Sequence, residues 1–249
     1  MKTIIVLPTY NEVGNLEPFT KAVLALKPPV SILVVDDNSP DGTGVLADRL
    51  HDDSPERIHV LHRAKKEGLG AAIVAGFQQA LALGAERIFQ MDADFSHPVE
   101  AIPRMLQLSR WYDVVVGSRY VAGGGVDPRW HLLRRLLSRG GNLYARWVTG
   151  LRIRDTTTGF RCFRASTLRQ LPLAAIHSQG YVFQIEVALV CQYAGWRMIE
   201  EPIFFRERSV GKSKMNLPIA WEAFWRVWKL RRGPPWEAII RARLQKPGG

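Results

Sequence analysis

Short runs of apolar and β-branched residues alternate with longer amphipathic stretches through the first half of the chain, and three of the runs stop at a cluster of polar residues. That alternation is the pattern of a parallel sheet with crossover helices. Strands are predicted at Thr3 to Leu7, Ser31 to Val35, Ile58 to Leu61, Arg87 to Met91 and Asp113 to Gly117, and helices at Asn15 to Leu26, Gly42 to His51 and Leu69 to Leu83. Asp41-Gly42-Thr43 supplies turn and capping residues at one helix start. Open sheets of this kind bind ligands beyond the carboxyl ends of their strands. There the chain carries Pro8-Thr9-Tyr10-Asn11-Glu12, Asp36-Asp37-Asn38-Ser39 and Asp92-Ala93-Asp94, which converge on one edge. No internal repeat is visible; Gly123-Gly124-Gly125 reads as a mobile loop and Gly233-Pro234-Pro235 as a break before a last short helix.

A chain of 249 residues, 47% hydrophobic, buries a substantial core, since the buried fraction of surface rises with size. One main domain with a small appendage is expected. No run reaches the roughly 18 apolar residues that span a bilayer, and MKTIIVLPTYNE lacks the apolar core and cleavage site of a signal peptide. The expected location is therefore the cytosol. Cys162 and Cys191 are too few and too far apart for a disulfide framework or zinc site, so both read as reduced packing residues. The net charge of +11 is concentrated: residues 129 to 154 hold seven arginines and no acid, residues 206 to 246 carry a net +8, and the remainder of the chain is −4. Two basic segments on an acidic body imply a localised anionic partner, whether nucleic acid, membrane surface or phosphorylated substrate.

In Ile88-Phe89-Gln90-Met91-Asp92-Ala93-Asp94 an apolar strand runs into two carboxylates one residue apart. Like charges so close disfavour joint ionisation. A divalent cation relieves this, and Mg²⁺ commonly takes one or two carboxylates plus substrate phosphates. The alternative is a solvated strand end with an Asp cap. Asp36-Asp37 reads either as a turn or as a carboxylate that accepts hydrogen bonds from a ribose or base. No G-x-G-x-x-G follows the first strand, so a mononucleotide with a metal-bound diphosphate fits better than a dinucleotide.

Eight stretches together resemble the dolichol-phosphate mannose synthases of glycosyltransferase family 2: LPTYNE at 7 to 12, VVDDNSPDGT at 34 to 43, MDADFSHP at 91 to 98, GSRY at 117 to 120, SRGGN at 138 to 142, TGFRCFR at 158 to 164, GYVFQIE at 180 to 186 and RSVGKSK at 208 to 214. The resemblance implies an α/β GT-A fold, a Rossmann-like, mixed and mostly parallel sheet, over residues 1 to 215, with a basic amphipathic helical tail over 216 to 249. It implies an inverting, metal-dependent transfer of mannose from GDP-mannose to a polyprenyl phosphate, with Mg²⁺ or Mn²⁺ as cofactor, and leaves room for a separate membrane-anchor subunit. Carried over residue by residue, Pro8, Tyr10, Glu12, Val35 and Asp37 would hold the nucleoside, and Asp92, Ala93 and Asp94 would lie against diphosphate and metal. Arg119, Arg208 and Lys214 would face the phosphates of donor or acceptor. Asp92, Asp94 and Arg119 are thus the expected catalytic residues. Ser96 stands where some relatives have a metal-ligating Gln; as a weaker ligand it leaves room for a water.

The chemistry suits these residues. Transfer to an alcohol requires a general base, whereas a phosphate monoester, with a second pKa of about 6, is already ionised. It needs positioning and charge balance, and arginines rather than a poised histidine dominate the second half. A metal would stabilise the leaving diphosphate. Arg134 and Ser138 lie at i and i+4, so a helix places both on one face, where with Arg119 they could clamp the acceptor phosphate; otherwise the run coats a helix, with Arg135 and Arg139 solvated. Gly211-Lys212-Ser213-Lys214 suits a loop closing over phosphates. Asp155, Gln184 and Glu186 are candidates for touching sugar or loop, with a salt bridge from Glu186 to Arg161 or Arg164 as the competing account. His97 is expected to shape its loop.

Trp221, Phe224, Trp225 and Trp228 recur at i, i+3, i+4 and i+7 beside Arg226, Lys229, Arg231 and Arg232, and Trp236, Ile239, Ile240 and Leu244 repeat the pattern. Such helices either lie in a membrane interface or pack on the domain as core. The membrane reading gives a peripheral protein. A UDP-hexose donor with a lipid-phosphate or polysaccharide acceptor keeps the fold and changes the substrates. A nucleic-acid partner is excluded on balance: RNA binding needs aromatics interleaved with phosphate-binding cations, and here the tryptophans cluster while acidic strand ends repel.

Overall fold

A computed structural model describes residues 1–176, 178–207, 217–232 and 236–244. The first half folds as alternating units: β1 (Thr3–Thr9), α1 (Val13–Leu24), β2 (Ser31–Asp36), α2 (Thr43–Asp53), β3 (Ile58–His62), α3 (Leu69–Ala82), β4 (Arg87–Gln90), α4 (Ile102–Leu108) and β5 (Val114–Ser118). A two-residue β6 (Gly125–Val126) leads to the long α5 (Leu132–Thr149). Then come β7 (Arg161–Arg164), α6 (Ala165–Gln170), α7 (Gly180–Tyr193), β8 (Met198–Pro202), β9 (Phe204–Phe205), α8 (Leu217–Arg231) and α9 (Trp236–Leu244).

The central sheet has the order β3-β2-β1-β4-β7-β5-β8. All its pairings are parallel except those of β7, which runs antiparallel between β4 and β5. The mixed, mostly parallel sheet is the one expected. The inserted β7 was not foreseen, because a four-residue strand with arginine at each end does not look like a core strand. β6 and β9 form a small parallel pair of their own.

Strand alternation divides the core. Ile4, Val6, Leu33 and Val35 face α3, α5 and α7 on one side, and Ile5, Leu7, Ile32 and Val34 face α1, α2 and α4 on the other. β1 outruns β4, pairing with it only from Thr3 to Val6. Pro8 therefore sits where no ladder donor is required on that side. α1 begins at Val13, earlier than expected, because the Glu12 carbonyl accepts from Asn15 and Leu16 and the Asp41 carboxylate accepts from the Val13 amide. Gly42 precedes α2 with φ of 89°, a left-handed turn that frees the Asp41 carboxylate to accept from Thr43 N–H at 3.0 Å.

The tail does not read as a simple membrane stripe. Tyr144 of α5 stacks on Phe224 with centroids 4.5 Å apart, and Val227 and Leu230 are buried. Trp236 and Ile240 take the core placement of the two open to them and are buried against the domain. The Trp236 indole donates to Glu186 at 3.0 Å, and Ser178 N–H donates to the same carboxylate at 3.1 Å. These two donors, rather than Arg161 or Arg164, hold the carboxylate. Trp225 and Ile239 remain exposed. The Trp221 and Leu244 side chains lie outside the description. No described helix is long and apolar enough to cross a membrane.

Candidate active site

The carboxyl ends of β1, β2 and β4 do converge. They form one wall of a cleft of about 350 Å³, lined by Pro8, Tyr10, Glu12, Asp37, Asp92, Ala93 and Asp94 from the expected set. Lys66, Leu69, Thr157, Gly159, Tyr181 and Gln184 also line it. Val35 is the exception among the nucleoside candidates: its side chain is fully buried beneath the floor, packed toward Gly76 of α3.

Each wall is stiffened by hydrogen bonds. Asp36 turns inward, accepting from Ser39 Oγ at 2.6 Å, Ser39 N–H at 3.0 Å and Thr9 Oγ at 3.2 Å, so it forms the turn while Asp37 faces the cleft. Asp37 is paired with Arg63, which also binds Glu67 at 2.7 Å. Burial pushes the Asp37 carboxyl up, against the pull of Arg63. Lys66 extends its ammonium over the Tyr10 ring, 3.5 Å from the centroid, a cation–π contact that brings positive charge to the cleft mouth. Sequence reading missed Lys66, although the same strand-end rule that selected the other loops applied to the segment after β3.

At the end of β4, Asp94 is buried and Asp92 half-buried. The Ser96 hydroxyl, fully buried and outside the cleft lining, donates to Asp94 Oδ1 at 2.5 Å, and the Ser96 amide to the same oxygen at 3.0 Å. Ser96, expected among the metal ligands, here orients the Asp94 carboxylate from behind. Among the described residues no group of three or more His, Cys, Asp or Glu could hold a metal ion. Two hard carboxylate donors at one end of a polar cleft nonetheless suit a Mg²⁺ or Mn²⁺ ion whose remaining ligands come from a diphosphate and water.

His97 shapes the loop, as expected. Its Nδ1 accepts from Asp92 N–H at 3.2 Å and its ring stacks on Phe160 at 5.2 Å. Burial lowers its pKa, and the Nδ1 lone pair is engaged by the Asp92 amide, which leaves the ring poorly placed to act as a base.

A smaller chamber of about 70 Å³ opens beside the cleft and shares Asp92, Thr157, Gly159 and Tyr181 with it. Its other lining includes Arg119, Arg134 and Ser138, so α5 does present Arg134 and Ser138 on one face toward Arg119. Their partners differ from a bare clamp. Arg119 is held by Asp155, Nε to Oδ2 and Nη2 to Oδ1 each at 2.7 Å, and Nη2 also donates to Thr157 at 2.8 Å. Asp155 thus anchors Arg119. Arg134 donates to Glu207 at 2.8 Å and lies 3.6 Å over the Trp130 ring centroid. The Ser138 and Tyr120 hydroxyls meet at 2.6 Å. Gln184, lining the main cleft, is buried with its Oε1 unpartnered. Arg208 and Lys214 lie outside the described residues.

Residues 4–172 match the model of the family described as glycosyl transferase family 2. The chain belongs to that family. An undecaprenyl-phosphate mannosyltransferase from Micrococcus luteus is 44% identical over 98% of this chain and 99% of its own length. The polyprenol monophosphomannose synthase of Mycolicibacterium smegmatis is 43% identical over 92% of this chain and 88% of its own, and a dolichol-phosphate mannosyltransferase from Pyrococcus furiosus 33% over 96% and 66%. Among solved structures, glucosyl-3-phosphoglycerate synthase from Mycobacterium tuberculosis, in complex with Mn²⁺, UDP and its product, superposes with a TM-score of 0.64 at 16% identity, covering 92% of this chain and 78% of that one. That likeness shows the fold, and the family 2 chain described here has the GT-A fold expected of it.

Proposed function

We propose that this chain transfers mannose from GDP-mannose to a polyprenyl phosphate with inversion, giving a polyprenyl β-mannosyl phosphate. The observation that carries the reading is the joined pair of spaces: a nucleotide-sized cleft ending at two carboxylates, opening into a small chamber faced by Arg119, Arg134 and Ser138. The names of the relatives that align over nearly the whole chain support mannose and a polyprenyl phosphate.

In this reading Tyr10, Glu12 and Asp37 hold the nucleoside, and Asp92 and Asp94 hold Mg²⁺ or Mn²⁺. The ion, when bound, supplies positive charge against the diphosphate as it leaves. The acceptor enters the chamber as a phosphate, where Arg134 and the Ser138 hydroxyl orient it. Arg119, its charge balanced by Asp155, presents N–H donors at fixed geometry rather than a loose cation. An acceptor oxygen forms the new bond to the anomeric carbon as the bond to the diphosphate breaks, and that electron pair leaves with GDP. No group need remove a proton from an ionised phosphate, which accords with a buried His97 whose Nδ1 is already engaged by the Asp92 amide. The protein acts at the cytosolic face of a membrane as a peripheral enzyme.

Radiolabelled GDP-mannose and UDP-glucose, each offered with a short polyprenyl phosphate, test the proposal. Label is expected in the lipid phase from GDP-mannose with Mg²⁺ or Mn²⁺, and NMR of the product should show the β anomer. Transfer from UDP-glucose alone, or an α-linked product, would overturn it.

A further inference from the structure

Arg119 also lines a pocket of about 490 Å³ that shares no residue with the donor cleft and is faced by Arg139, Arg146 and Arg154 together with Tyr120, Asn142 and Leu143. Its lining contains no carboxylate. Arg119 is balanced by Asp155. Among the described residues no acid pairs with the side chains of Arg139, Arg146 or Arg154, and the Nε of Arg146 is buried without a hydrogen-bond partner. Three guanidinium groups around one small space repel one another, and a buried donor left unmade is costly. An anion with several acceptor oxygens removes both penalties.

The same helix says where that anion comes from. At 100° per residue, Arg139 and Arg146 fall on one stripe of α5, and next to it runs an exposed apolar stripe of Leu132 (71%), Leu136 (60%), Leu143 (65%) and Trp147 (70%). Leu143 belongs to both the stripe and the pocket. An amphipathic helix with leucine and tryptophan on one face and arginine along its border is built to lie in a membrane interface.

We propose that the Arg139–Arg146–Arg154 pocket binds the phosphate headgroup of an anionic bilayer lipid, separate from the acceptor chamber, and so fixes how α5 and the catalytic cleft sit on the membrane. Planar guanidinium forks suit phosphate oxygens. The proposal does not depend on which sugar or acceptor the catalytic site uses.

Flotation with vesicles of phosphatidylcholine alone, or with equal parts phosphatidylglycerol, tests it in the full chain. Wild type should prefer the anionic vesicles, and R139Q/R146Q should lose roughly fivefold in that binding for each charge removed, while GDP binding in solution is unchanged. The charge-conserving R139K/R146K separates a built phosphate site from general attraction: it should also weaken binding, because lysine lacks the fork. Lysine variants that bind as wild type, or equal binding to both vesicles, would overturn the proposal. Calorimetric binding of inorganic phosphate lost in R139Q/R146Q, with vesicle binding unaffected, would assign the pocket to free phosphate and refute the lipid headgroup.

Discussion

Replacing Asp155 by asparagine isolates the buried Arg119–Asp155 pair. Asp155 is fully buried and Arg119 nearly so, joined by two side-chain hydrogen bonds of 2.7 Å and a third from the Arg119 amide at 3.0 Å. Burial pushes the Asp155 carboxyl up, but the charge and hydrogen bonds of Arg119 outweigh it and hold the carboxyl below its ordinary range. Burial likewise works against the Arg119 cation, and Asp155 reverses it. Asparagine keeps the shape and removes the charge, leaving a guanidinium with no counter-charge in the chamber wall. Breaking a buried pair from one side costs about 3–5 kcal/mol. At roughly 2–4 °C per kcal/mol for a domain of this size, the melting point should fall by about 6–20 °C. The pH dependence has a definite sign. A carboxyl depressed in the folded state contributes stability above its unfolded value of about 3.9, and loses it as pH falls through the folded value. Wild type should therefore have an acid-side loss that D155N lacks, read by urea titration at a series of pH values. Replacing Arg119 by leucine in the D155N background should recover part of the loss. A D155N protein within about 1 kcal/mol of wild type would refute the idea that this pair is isolated from water and mutually dependent.

Four further outcomes are expected. D94A and D92A should fold normally yet lose most transfer activity, and activity in EDTA equal to that with Mg²⁺ or Mn²⁺ would sink the metal assignment; S96A, which only frees Asp94, should weaken Mn²⁺ binding roughly 10- to 100-fold while the calorimetric stoichiometry stays the same. R134A should reduce transfer efficiency about ten- to a hundredfold through the acceptor with GDP affinity intact; weakened GDP binding with normal acceptor kinetics would move Arg134 to the donor side. W236A should cost roughly 3–5 kcal/mol in urea unfolding because that indole is core, whereas W225A, exposed on α8, should stay within about 0.5 kcal/mol and show its effect, if any, only in vesicle binding.

What could be read in the chain was what depends on local spacing. The apolar runs, the polar residues at their ends and the carboxylates one residue apart all carry their geometry in the sequence, so β1 to β5 and the cleft wall came out nearly in place. β7 was hidden because its burial comes from its neighbours: Arg161 is entirely buried, with its Nη2 donating to the Thr156 carbonyl at 3.1 Å and burial lowering its pKa to about 10. No propensity assigns an arginine to a sheet interior. The tryptophan spacing in the tail was read correctly as a face, but the same 3.6-residue period fits a face turned to a bilayer or to a core. Only the packing of Val227, Leu230, Trp236 and Ile240 on the domain separates the two.

The arginines make the same point about charge. The acid-free run from 129 to 154 counts as seven equal positives in the sequence, and equal positives imply only that some anion is near. Folding sorts them by the company each one finds. Arg129 is paired with Asp127, and Arg134 with Glu207, from 73 residues away. Arg119, outside the run, takes Asp155, the residue that follows the run's end. Their charges are largely balanced, so what they offer a substrate is directed N–H groups and a fixed shape. Arg139, Arg146 and Arg154 find no carboxylate among the described residues, and their positive potential remains to be met from outside. One basic segment thus serves two spaces: Arg134, paired with Glu207, faces the chamber, Arg139, Arg146 and Arg154 face the pocket that borders the exposed leucines of α5, and Arg119 lines both.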